Sequence, residues 1–146
     1  MGKPKLLSVG VSFALFVLGG CASVEPSNPE AAASDVSFGV AEDRSRIYVF
    51  RDDNVVLNTP ISVSIDGKPV GVTGNKTHVV ATVQPGPHTV SAKGENTDEL
   101  GVETVGGEIV FVEIGVGLGV IANRAKLAEV DPERGREAVR KTRPVN

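Results

Sequence analysis

Few residues of this chain can do chemistry, and the scarcest is its single cysteine, Cys21. A thiol can act as a nucleophile, bind soft metals or carry a modification, and its surroundings decide which. Here Leu18, Gly19 and Gly20 precede it, behind an apolar and small-residue run that starts at Leu6 and follows Lys3 and Lys5. Positive charge, a greasy stretch and then small residues is the order of an export signal. Thirteen residues at about 1.5 Å each make about 20 Å of helix, short of the roughly 30 Å of hydrocarbon that a spanning segment crosses. Residues 1–20 are therefore expected to be a cleaved signal, with the mature chain beginning at Cys21.

The string Leu18-Gly19-Gly20-Cys21, placed behind such a signal, resembles the lipobox of bacterial lipoproteins. That resemblance implies a diacylglycerol on the Cys21 thiol and, usually, acylation of the new amino group. One acyl chain holds a protein to a bilayer reversibly, at about 0.8 kcal/mol per buried CH₂, whereas two or three hold it firmly. A membrane is thus the expected partner, engaged through N-terminal acyl chains. Ala22, where an Asp would retain the protein at the inner membrane, resembles signals passed on to the periplasmic face of the outer membrane. An ordinary secretory signal with an incidental Cys21 is the competing reading.

The remaining reactive residues form no catalytic pattern. Gly117-x-Gly119-x-x-Ala122 imitates a dinucleotide fingerprint, but that fingerprint works only at a strand-to-helix turn inside a βαβ unit. On a strand, Gly115, Gly117 and Gly119 are spaced by two and leave a strip without side chains on one face. Such a strip serves either close internal packing or a groove for a partner. His78 and His88 fall on neighbouring expected strands, yet two imidazoles are too few for a closed metal site. No serine occupies a Gly-x-Ser-x-Gly elbow and no His-Glu-x-x-His occurs. Asp52-Asp53 and Asp98-Glu99 fall in expected turns, where solvated charge is the usual role. The reading is accordingly non-enzymatic, with no catalytic residue, no metal and no cofactor.

Composition narrows the class further. The 146 residues hold fifteen basic and eighteen acidic side chains, and loss of Lys3 and Lys5 leaves a mature net charge of −5. That balance argues against a nucleic-acid partner, which would demand a basic face. With Cys21 modified, no cysteine remains for a disulfide, so stability rests on packing. There is no Trp and only one Tyr, so Val, Ile and Leu must build the core, as suits strands. Residues 124–146 reverse the overall sign, with seven basic and four acidic residues. The excess would serve either a solvated helix face or attraction to an acidic partner.

The scaffold beneath these residues is legible in the chain's local patterns. Residues 21–43 are rich in Ser, Ala, Pro and Glu, and read as a lipid-attached flexible tether of root-mean-square reach roughly 25 Å, with Phe38 and Val40 able to dock on the folded domain. Strands are expected over 46–51, 61–65, 68–72, 77–83, 88–93, 100–104, 108–120 and 125–130. Asp66-Gly67 between alternating segments is a hairpin signal, and Pro69 places its strand at an edge. Residues 94–98 read as a polar loop. Asp131-Pro132-Glu133 opens a helix running to about Lys141, with Gly135 costing it about 1 kcal/mol against Ala. Seven to eight short strands with frequent turns predict an all-β, Ig-like antiparallel sandwich over 44–130, with a C-terminal helix and tail over 131–146.

Ile61-Ser62-Val63-Ser64-Ile65-Asp66-Gly67-Lys68-Pro69-Val70-Gly71, together with Val83-Gln84-Pro85-Gly86-Pro87-His88-Thr89-Val90, resembles PEGA-type domains. It is similar, more closely, to an uncharacterised family of bacterial lipoproteins with a related small β-sandwich. Ile47 to Arg51 and Gly107 to Ile114 extend the resemblance. It implies a PEGA-like sandwich and no catalytic residues. The expected role is an accessory subunit of an envelope assembly, binding a protein partner through a sheet edge or the glycine strip. The alternative is a lipoprotein that binds a small ligand or glycan at its loops.

Overall fold

The computed structural model describes Glu25, Pro26 and residues 38–145, so Cys21, the signal and most of the expected tether lie outside the described residues. In chain order the elements are β1 (Glu25–Pro26), β2 (Ser45–Arg51), β3 (Ile61–Ile65), β4 (Lys68–Thr73), β5 (Thr77–Val83), β6 (Gly86–Lys93), β7 (Thr97–Thr104), β8 (Ile109–Leu118), β9 (Asn123–Val130), α1 (Pro132–Arg140) and β10 (Arg143–Pro144). They form an all-β sandwich. One sheet has the order β1-β5-β2-β8-β9 with β10 also on β5, and the other has the order β4-β3-β6-β7.

Period-two alternation explains the sandwich. Ile61, Val63 and Ile65 of β3 face inward with Val90 and Ala92 of β6, against Ile47, Val49, Val79, Ala81, Val112 and Ile114 of the opposite sheet. The Asp66-Gly67 hairpin forms as expected, with φ of 51° and 74° at its two central residues. Pro69 lies on β4, the outer strand of its sheet, where the β3–β4 register shifts.

The larger sheet is not wholly antiparallel. β2 and β8 pair in parallel, Arg46 opposite Ile109 through Phe50 opposite Glu113. No helix is needed for that crossover, because the chain between them passes through the opposite sheet. The expected polar loop also contracts. Lys93 pairs with Thr97, so only Gly94, Glu95 and Asn96 make the turn into β7. β8 stops at Leu118 rather than Val120, for a reason that lies in Glu95.

A second, smaller core covers the outer face of the β1-β5-β2-β8-β9 sheet. Tyr48, Phe50, Val80, Ile109 and Phe111 meet Ala138 and Val139 of α1, with Phe38 and Val40 packed alongside. Tyr48 and Phe111 stack at 5.5 Å between ring centroids, and Phe38 meets both edge-on at 5.7 and 5.9 Å. Asp131 caps α1 by accepting the Arg134 amide at 2.9 Å, with Pro132 in the first turn. Gly135 proves to be a contact rather than a mere weakness. A β-carbon there would lie 2.2 Å from Phe111 Cγ, so its absence lets the helix backbone settle on the ring.

Candidate functional site

The two ends of β5 differ sharply in what surrounds them. One end carries Val83, where β2 begins, and the other carries Thr77, where β2 ends at Arg51. At the Thr77 end four connections gather: the β2–β3 loop, the β4–β5 turn, the β6–β7 turn and the β8–β9 tip.

Buried polar side chains fix this end. Arg51 has a fully buried side chain, and its guanidinium donates to Thr59 O at 3.0 Å, Asn75 Oδ1 at 3.1 Å and Asp53 Oδ1 at 3.3 Å. It therefore staples the β2–β3 loop to the β4–β5 turn. Asn75 adds its own ties, donating its side-chain amide to Val55 O at 2.7 Å and its backbone amide to Asn58 Oδ1 at 2.7 Å. Asn123, also buried, joins the other two connections. Its backbone amide donates to Thr59 Oγ1 at 3.0 Å, its side-chain amide donates to Leu57 O, and its carbonyl accepts the Glu95 amide at 3.0 Å.

Glu95 shapes the β8–β9 tip. Its Oε2 accepts the amides of Ile121 at 2.7 Å and Ala122 at 2.9 Å. Those bonds, with one from the Val120 amide and the charge of Arg124, outweigh partial desolvation and pull its carboxyl down to about 2. The amides of residues 120–122 are thereby drawn out of the ladder, which ends β8 early and turns the intervening side chains outward. The result is an apolar tip. Val56, Leu57, Leu118, Val120 and Ile121 are between 49 and 106% exposed, although each is aliphatic. The charges around them are matched: Asp52 with Lys76 at 2.7 Å, Asp53 with Arg51, and Glu95 with Arg124 at 3.6 Å.

The glycine strip is only partly a strip. Gly115 and Gly117 share the exposed outer face of β8, opposite Lys126 and Arg124 of β9, and nothing lies within 4 Å of a β-carbon at Gly117. Gly119 has left the strand, and a β-carbon there would collide with Ala122 O at 2.2 Å and Glu95 Oε2 at 2.4 Å. Gly119 therefore serves the tip, and the sequence spacing overstated the strip by one residue. Beside Gly115 and Gly117 an open trough of about 810 Å³ carries Asp98, Glu99, Arg124 and Lys126 on its walls.

The histidines do not come together. His78 lies buried on β5, its Nδ1 2.7 Å from Thr142 Oγ1 and its ring beside Tyr48 at 5.8 Å. Burial pushes its imidazole down to about 4. His88 lies in the other sheet, where Nδ1 meets Asp66 Oδ2 at 2.7 Å and Nε2 meets Gln84 O at 2.7 Å. Burial raises the Asp66 carboxyl, but bonds from His88 and the Thr89 amide, with the charges of His88 and Lys68, prevail and hold it below its usual value. Among the described residues no three His, Cys, Asp or Glu side chains group as metal ligands.

The sheet edges are occupied or blunted. β1 and β10 share the outer edge of β5, at Ala81 and Thr82 and at Thr77 and His78 respectively. On β9, the Asn96 side chain donates to Ala125 O at 2.9 Å and accepts the Ala125 amide at 2.8 Å, and Asp98 accepts the Leu127 amide at 2.7 Å. These side chains stand where another strand would bond. Four of the C-terminal cations are likewise engaged: Arg134 with Glu113 at 2.6 Å, Lys141 with Glu137 at 2.7 Å, Arg136 over Phe111 and Arg140 over Phe38. Sequence reasoning missed Arg51, Glu95, Asn123 and the apolar tip. The available signal was the aliphatic residues Val55, Val56 and Leu57 inside an otherwise polar loop.

Among the described residues, no helix is long and apolar enough to cross a membrane. No protein-family model matches the chain, and no solved structure matches it. The chain is similar to an uncharacterised protein of Haemophilus influenzae, 26% identical over 127 residues, which span 86% of this chain and 76% of that one.

Proposed function

We propose that the chain is a lipid-anchored envelope lipoprotein whose PEGA-like β-sandwich is a non-enzymatic binding module in an envelope assembly. The observation that carries this reading is Leu18-Gly19-Gly20-Cys21 behind a short charged and apolar leader. Support for binding comes from the fixed apolar tip, since five aliphatic side chains held in water by a buried polar frame mark an interaction surface. The test is Cys21→Ala in the full chain, read by detergent phase partition and intact mass. Loss of the detergent phase and of the mass of the acyl groups is expected. A variant that stays in the membrane fraction at mature mass would overturn the anchor.

The trough beside Gly115 and Gly117 favours a second reading, a small-ligand or glycan site on its polar walls. Cell-wall fragments should then raise the melting temperature of the native chain, and Lys126→Ala should abolish the rise. No shift with any fragment would remove this reading.

A further inference from the structure

We propose that the cleft between α1 and the start of β8 is a binding site for a small zwitterion, a molecule carrying an anionic group and an ammonium on a short carbon frame. Phe38, Gly107, Glu108, Ile109, Pro132 and Arg136 line this cleft of about 360 Å³. It lies at the Val83 end of the sandwich, because Glu108 O accepts the Arg46 amide at 3.2 Å where β2 begins beside Val83. The trough at Gly115 and Gly117 shares none of these residues.

Two opposite charges in the cleft are unspent. Arg136 sits over the Phe111 ring, 5.9 Å from its centroid, a contact that holds the guanidinium without using its N–H donors. Among the described residues neither Arg136 nor Glu108 makes an ion pair or a side-chain hydrogen bond, although both line one cleft. A ligand with only an anionic group would be repelled by Glu108, and one with only an ammonium would be repelled by Arg136. The pair therefore selects a molecule that carries both. Its carbon frame has walls in Ile109, Pro132 and the Phe38 ring, and Gly107 lines the cleft without a side chain. Phe38 holds a φ of 49°, a left-handed value that a bulky residue rarely adopts, and its edge contacts with Tyr48 and Phe111 at 5.7 and 5.9 Å keep it there. That wall is thus set by buried rings before a ligand arrives. A volume of about 360 Å³ is at the small end of the roughly 300–1,000 Å³ of ligand sites, which suits a single amino acid or an ethanolamine phosphate headgroup.

The experiment titrates the isotope-labelled, detergent-solubilised full chain with alanine and with O-phosphoethanolamine, and in parallel with acetate, inorganic phosphate and ethylamine, following backbone amide shifts. The expected result is a saturable shift at Gly107, Glu108, Ile109 and Arg136 with at least one zwitterion, and binding about tenfold or more weaker for every probe of single charge sign. These probes test the charge pair on the wild-type chain, whatever the variants do. Glu108→Gln and Arg136→Gln should each cost about tenfold or more in affinity, as loss of a charge-assisted bond does, with amide shifts elsewhere in the sandwich unchanged. Lys126→Ala, in the trough, should cost nothing. Binding of alanine alone points to an amino acid, and binding of O-phosphoethanolamine alone to a headgroup; either supports the site. No saturable shift with either zwitterion, shifts that lie in the trough and vanish with Lys126→Ala, equal binding of acetate, phosphate or ethylamine, or affinity that survives either glutamine substitution would each overturn the proposal.

Discussion

Gly135 of α1 stands over Phe111 of β8 so closely that a β-carbon on it would lie 2.2 Å from the ring's Cγ and 2.4 Å from its Cβ. Two ordinary rules then oppose each other. Alanine is the better helix former by about 1 kcal/mol. Overpacking a rigid ring against a backbone costs about 1–3 kcal/mol and here must also shift the Phe38, Tyr48 and Phe111 cluster. Gly135→Ala should therefore lose up to about 2 kcal/mol in urea unfolding, and a gain would show that the helix lifts off freely.

The Glu95 carboxyl, held down to about 2 by the amides of residues 120–122, titrates far below its value of 4.5 in the open chain. A depressed carboxylate stabilises fully above the open-chain value and loses its contribution as pH falls from 4.5 through 2. Nuclear magnetic resonance titration should place its midpoint near 2. Glu95→Gln should speed amide exchange at Val120, Ile121 and Ala122 while leaving the β3–β6 ladder unchanged.

His78 makes a matching prediction from the opposite charge type. Its folded value of about 4 lies below the ordinary 6.5, because burial disfavours the imidazolium. Stability from the neutral ring is complete above 6.5 and is lost as pH falls through 4, up to about 3 kcal/mol. His78→Asn should flatten the acid arm of the stability curve between those limits. An unchanged arm would place the titration elsewhere.

Asn96 supplies two hydrogen bonds to Ala125 at the edge of β9, doing with one side chain what a neighbouring strand would do. Asn96→Ala should cost about 1–2 kcal/mol, the worth of two such bonds left unmade. It should also raise the aggregation rate, since it bares backbone groups at a sheet edge. Light scattering at fixed protein concentration measures this, and equal rates would mean that Asp98 suffices.

Arg51 carries the same logic into the tip. Its three hydrogen bonds at 3.0–3.3 Å hold the β2–β3 loop from a fully buried position. Arg51→Met should destabilise by about 3 kcal/mol, because it strands buried partners. It should also speed amide exchange across residues 52–58, because the ties that remain among the described residues come only from Asn75, Asn58, Asn123 and Lys76.

Much of the architecture was legible in the linear chain. Alternation of apolar and polar residues, Asp66-Gly67, Pro69 and the Asp131-Pro132 cap are local patterns, and local stereochemistry enforces them wherever the chain folds. That is why β2 to β9, within three residues at their ends, the hairpin, the blunted edge strand and the helix start were expected where they lie, whereas the two-residue strands β1 and β10 were not. Packing of distant segments settled the parallel β2–β8 pair, the seat of Gly135 on Phe111, the departure of Gly119 from its strand and the gathering of Arg51, Glu95 and Asn123 at one end. Each depends on partners 24 to 66 residues apart in the chain. A residue's spacing says which face it takes, but only the approach of a second segment says what that face meets. The apolar tip is the clearest case: Leu118 and Val120 fall in an expected strand, until Glu95, from another turn, holds the backbone of residues 120–122 and leaves the side chains there in water.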